Sequence, residues 1–126
     1  MQKYILLFRS INVGGNNLLP MKEFVTLLTK HEYKDISYYI QSGNVVLMSA
    51  ANPVEHIRAL VLEFYGFSPE IFVLTTLAFE TIHTNNPYTE FQGKWVHCYI
   101  CKDKIELDTD KLETLMSKTE EYTVID

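Results

Sequence analysis

At 126 residues, with 47% apolar and 21% charged side chains, the chain has the size and composition of one ordinary globular domain with a packed core. No apolar run approaches the roughly 20 residues of a membrane-spanning helix, and the N-terminus lacks the basic, apolar, small-residue order of a signal peptide. The net charge of -5 falls entirely within residues 103–126, which hold eight acids and three lysines, and this acidic balance without a basic stripe disfavours nucleic acid as a partner.

In chain order, Lys3 to Arg9 predicts a strand by its β-favouring, nearly continuous apolar content. Tyr4, Leu6 and Phe8 point to one face, and Ile5, Leu7 and Arg9 to the other. Apolar residues on both faces predict a central strand covered on both sides. A loop of small and amide residues follows, Ser10-Ile11-Asn12-Val13-Gly14-Gly15-Asn16-Asn17. Pro20 then opens a helix over about 20–31, with Met21, Phe24, Val25 and Leu28 on its buried stripe. Asp35 to Gln41 predicts a second strand, Ser42-Gly43 a tight hairpin turn, and Val45 to Ser49 a third strand.

Asn52-Pro53-Val54-Glu55 is a helix start, with Asn52 as cap, Pro53 at the first position and Glu55 at the capping-box position. Ile57, Leu60, Val61 and Phe64 predict its buried stripe, and Gly66 its end. Glu70 to Leu74 predicts a fourth strand. The order β-α-β-β-α-β is that of an α+β fold, the ferredoxin-like plait. Beyond it, a third helix is expected over 76–84, a strand over 94–102, a fourth helix capped by Asp108 or Thr109, and a last strand over 121–125. The expected organisation is therefore a ferredoxin-like half, 1–75, and an incomplete second αβαβ half, 76–126, packed on or beside it.

This topology places the third strand between the first two and antiparallel to both. The end of the first strand, the start of the first helix and the hairpin tip then share one edge. Arg9, Asn12, Gly14, Gly15, Asn16, Asn17, Gln41, Ser42 and Asn44 should converge there. No acid occurs from Met1 to Lys22 or from Ile36 to Val54, the two windows that hold these loops. Unpaired loop N–H groups, a helix N-terminus and amide side chains suit a small polar or anionic ligand. The same residues also serve turns for conformational reasons alone, and Arg9 can simply tie down a facing loop. The glycine pair matches neither a Walker loop nor the dinucleotide fingerprint, so no cofactor is indicated.

Three stretches resemble a known family. Leu7-Phe8-Arg9-Ser10-Ile11-Asn12-Val13-Gly14-Gly15-Asn16-Asn17, Pro20-Met21 and Tyr39-Ile40-Gln41-Ser42-Gly43-Asn44-Val45-Val46 are similar to the motifs of domain of unknown function 1697. That family typically shows Leu-Arg-Gly-Ile-Asn-Val-Gly-Gly and then Tyr-Ile-Gln-Ser-Gly-Asn-Val. The resemblance runs over the whole chain, more loosely in its second half. It implies a bacterial, cytoplasmic protein with two ferredoxin-like halves and no established activity. Ser10 stands where the family usually has Gly, and Asn16 where Lys is common, which removes one cation from the expected edge. The family continues past the end of this chain, so the resemblance implies a short or truncated member.

The other constellations are weaker. Cys98-Tyr99-Ile100-Cys101 has redox or zinc spacing, but on a strand its two thiols face opposite sides. No second pair completes a metal site, and Cys98 is expected to be buried beside Val96 and Ile100. His31, His56, His83 and His97 fall on separate elements without a helical i, i+4 partner, and read as surface or satisfied polar residues. Ser42 has no recognisable base. Two cysteines without a secretory signal argue for a reducing, cytoplasmic setting. Three classes of function stay open: a small-ligand-binding domain, an enzyme of unknown reaction on the same edge, and a protein–protein or nucleic-acid interaction module. The apolar sheet is expected to be covered either by the second half of the chain or by another copy of it, as a homodimer.

Overall fold

The computed structural model describes residues 1–125. The alternation Tyr4, Leu6, Phe8 buries one face of the first strand, β1 (Gln2–Arg9), and these three side chains are at most 8% exposed. Helix α1 (Met21–Lys30) begins after Pro20 and buries Met21, Phe24 and Leu28. Strands β2 (Lys34–Tyr39) and β3 (Asn44–Ser49) form the hairpin, with Val45, Leu47 and Ser49 of β3 buried. Helix α2 (Val54–Tyr65) buries Ile57, Leu60 and Val61 and ends on Gly66 at φ 80°, a left-handed position that glycine adopts without strain. Strand β4 (Glu70–Thr75) follows and buries Ile71 and Leu74.

These elements form a mixed α/β layer structure with a four-stranded sheet, order β2-β3-β1-β4. Each neighbouring pair is antiparallel, with Tyr4 opposite Leu47 and Thr75, and Leu7 opposite Asn44 and Phe72. Strand β3 thus lies between β1 and β2 and antiparallel to both, as the element order implied. Both helices pack on the face that carries Tyr4, Leu6 and Phe8, where Phe8 meets Phe24 edge to face at 5.6 Å. The symmetric covering expected for β1 does not hold. Ile5 and Leu7 are half-buried while their neighbours are buried, because an antiparallel sheet needs only one apolar layer against it. Phe64 is exposed, and Tyr65 packs on the core in its place at the end of the α2 stripe. Pro53 occupies the N-cap position of α2, while the Asn52 Oδ1 still accepts from the Val54 N–H at 3.1 Å.

The chain divides into two compact units, residues 1–81 and 82–126, and helix α3 (Thr76–Thr84) runs across the junction. Among the described residues of the second unit are a short 3-10 turn (Gly93–Trp95) and helix α4 (Thr109–Leu115). Asp108 caps α4 by accepting from the Lys111 N–H at 3.0 Å. The strands expected over 94–102 and 121–125 are not formed. Val96, Cys98 and Ile100 do alternate, but a lone β-favouring segment has no ladder to join, and none of the residues 82–125 is buried. Cys98 is accordingly exposed, contrary to the burial expected for it, and both cysteines are free thiols. Among the described residues, no helix is long and apolar enough to cross a membrane.

Candidate functional site

The end of β1 and the β2–β3 connection meet at one edge of the first unit. The Phe8 N–H donates to the Gly43 carbonyl at 2.9 Å. Gly43 sits at φ 92°, and a Cβ there would lie 2.6 Å from Ile11 Cδ1 and 2.7 Å from Phe8 Cβ. Only glycine fits that approach. The connection spans residues 40–43, four rather than two, since Tyr39 pairs with Asn44 in register.

Asn12 joins the two loops. Its Nδ2 donates to the Leu19 carbonyl at 2.9 Å and to the Gln41 carbonyl at 2.7 Å, and its Oδ1 accepts from the Leu19 N–H at 2.7 Å. The side chain therefore spends three of its four hydrogen-bonding positions on the backbone. Asn17 Nδ2 donates to the Ser10 carbonyl at 3.1 Å. Between them, Gly14 and Gly15 at φ 61° and 77° make a two-residue turn closed by the Asn16 N–H on the Val13 carbonyl at 3.0 Å. Both central residues need positive φ, which explains the glycine pair without a ligand.

Backbone strain concentrates at the same edge. Ser10, Asn12, Asn17 and Ile40 all have φ between 50° and 59°. For Asn this region is tolerable; for a β-branched residue such as Ile40 it is an outlier. Ile40 is also 53% exposed, so no burial of its side chain offsets the strain.

The remaining site residues are differently engaged. The Arg9 side chain is 79% exposed, and its Nη1 reaches one oxygen of Glu70 at 3.5 Å. Asn44 Nδ2 has only the Tyr39 carbonyl at 3.4 Å and the Ser42 hydroxyl at 3.5 Å. Gln41 and Ser42 are exposed. The Asn12–Gln41 and Phe8–Gly43 contacts join the two loops, while Asn16 only closes the Val13–Asn16 turn, and the residues of this edge fall into two groups. Asn12, Asn17, Gly14, Gly15 and Gly43 build the edge; Arg9, Gln41, Ser42 and Asn44 keep polar atoms free or weakly used.

One cluster went unseen in the sequence. The Tyr33 hydroxyl and His56 Nδ1 lie 2.7 Å apart, and the His31 and His56 rings stand edge to face with centroids 5.6 Å apart. Burial raises the Tyr33 pKa above its ordinary 10.0. His31 follows the end of α1 and His56 lies in the first turn of α2, so the pairing depends on how the helices pack, which no local pattern shows. Among the described residues, no group of three or more His, Cys, Asp or Glu side chains could hold a metal ion.

A four-stranded antiparallel sheet, two helices on one face and a braced loop edge define a small mixed α/β protein. Residues 1–126 match the family described as "Protein of unknown function (DUF1697)", and the chain belongs to that family. Among solved structures it is similar to the conserved bacterial protein SP0830 of Streptococcus pneumoniae, at 30% identity and a TM-score of 0.63. That similarity covers 74% of this chain and 53% of the other, so this chain spans about half of that protein's length. No curated protein matches.

Proposed function

We propose that the chain binds a small polar or anionic ligand at the edge built by residues 9–17 and 41–44, with Arg9 as the charge contact. The observation that carries this reading is the contrast at one edge between a braced backbone and an unspent cation. Ser10 and Ile40, held at positive φ, cost about 1–2 kcal/mol each, and such strain persists where surrounding contacts over-determine it, as those of Asn12 do here. The Arg9 guanidinium meanwhile holds a single 3.5 Å contact, which leaves its planar fork open to a carboxylate or phosphate. Gln41, Ser42 and Asn44 supply donors and acceptors beside it. We also read the β2-β3-β1-β4 order of the first unit as a ferredoxin-like plait.

The test is calorimetric titration of the full chain with inorganic phosphate and with ribose 5-phosphate. Arg9→Ala should weaken both at least tenfold while leaving Tm almost unchanged, since an exposed ion pair contributes only about 0–1 kcal/mol. Equal binding by Arg9→Ala and the parent protein would refute the site.

A further inference from the structure

The register of the sheet places a second recognition element beside Arg9. Tyr39, Asn44, Leu7 and Phe72 are successive partners across β2, β3, β1 and β4, so their side chains form one row on the face away from the helices. Arg9 and its partner Glu70 lie two residues further toward the loops on the same face. Tyr39 is 72% exposed, the most open aromatic of the first unit. Next to it, Asn44 offers an amide whose two contacts, 3.4 and 3.5 Å, are at the weak limit of hydrogen bonding. Adjacent strands lie about 4.8 Å apart and alternate residues about 7 Å apart, so the Tyr39 and Arg9 Cα atoms stand about 12 Å from each other. With both side chains reaching inward, that span suits a flat ring linked through a short polar spacer to an anion.

We propose that the ligand of this edge is a mononucleotide-like aryl anion, its ring stacked on Tyr39, its heteroatoms on the Asn44 amide and its phosphate on Arg9. This rests on the Arg9 reading above and adds the ring and its contacts. A ring on an exposed aromatic gains stacking energy whatever its hydrogen-bonding edge, and the half-buried Leu7 between the two gives the spacer an apolar floor. Glu70 opposes the anion, so an incoming phosphate must displace it from Arg9. A free nucleotide is the occupant, since the acidic balance of the chain gives a longer nucleic acid no cationic track.

The test compares adenosine monophosphate with ribose 5-phosphate by calorimetry on the full 126-residue chain. Adenosine monophosphate should bind about tenfold tighter, and Tyr39→Ala should erase that difference while leaving ribose 5-phosphate unchanged. Tyr39→Phe should retain it, and Glu70→Gln should tighten both compounds about threefold by removing the competing carboxylate. Equal affinities for the two compounds, or a ratio untouched by Tyr39→Ala, overturn the stacking inference while an Arg9-dependent phosphate contact survives. Binding of both that ignores Arg9→Ala, or no binding of either, overturns the underlying site as well. Much tighter binding of a ten-nucleotide oligoadenylate than of the mononucleotide would overturn the choice of occupant.

Discussion

Replacing Asn12 with alanine removes three hydrogen bonds at once and leaves the Leu19 N–H and C=O and the Gln41 C=O without their partner. Leu19 is fully buried, so water cannot readily replace what its backbone loses. At about 1 kcal/mol for each bond, the loss is about 3 kcal/mol. Alanine at the Asn12 φ of 54° adds about 1 kcal/mol of left-handed strain. A total of about 4 kcal/mol would lower Tm by roughly 15 °C or more in a unit of this size. Asn12→Gly separates the two contributions, since it removes the hydrogen bonds and relieves the backbone; it should cost less than alanine. Thermal and urea denaturation of both variants, followed by circular dichroism, provide the measurement. A Tm within about 3 °C of the parent for Asn12→Ala would refute the role given to this side chain, and with it the bracing of the two loops.

Other consequences follow from individual residues. Gly43→Ala forces a Cβ against Ile11 and Phe8 at 2.6 and 2.7 Å and should cost several kcal/mol, whereas Gly14→Ala meets open space and should cost only about 1 kcal/mol of backbone strain; equal denaturation midpoints would contradict the packing. Ile40→Asn puts a residue tolerant of positive φ at an exposed strained position and should raise stability by about 1 kcal/mol, read as a higher urea midpoint; a lower one would mean that the Ile40 side chain is needed. The raised Tyr33 pKa has a defined sign. The unfolded chain releases that proton near 10 and the folded chain only at higher pH, so the stability involved is complete below about pH 10 and is lost as pH rises through the folded value. Tyr33→Phe should therefore flatten the decline in Tm above pH 10, though not fully, because Tyr65 is also raised, first by burial and then by Glu23. An unchanged alkaline profile would remove Tyr33 from that account.

The first unit was readable because its signals are local and repeated. Tyr4, Leu6 and Phe8 alternate, Met21, Phe24 and Leu28 follow helical spacing, and Gly66 marks a helix end; each pattern states its own element. The convergence of the loops followed from element order alone, because a strand between two others carries its hairpin tip to the end of the first. The division of labour inside the edge was not readable. Asn12 and Asn44 are the same residue type, one in a loop and one at the first position of a strand on the same edge, yet one is spent on three backbone bonds and the other is scarcely used. That difference arises from where Leu19 and Gln41 fall in space. The second unit failed for the opposite reason. Val96 to Cys101 has strand composition, but composition supplies no neighbour for a strand to pair with. The His31–His56–Tyr33 cluster brings the end of α1 against the start of α2, with both histidines exposed, and leaves no mark in either segment.

The most direct test of the ligand edge is a residue-resolved amide chemical-shift titration of the full chain with ribose 5-phosphate. The account predicts saturable shifts grouped at residues 9–17 and 39–44 that vanish in Arg9→Ala. Shifts centred within residues 82–125, or a response identical in Arg9→Ala, would contradict it.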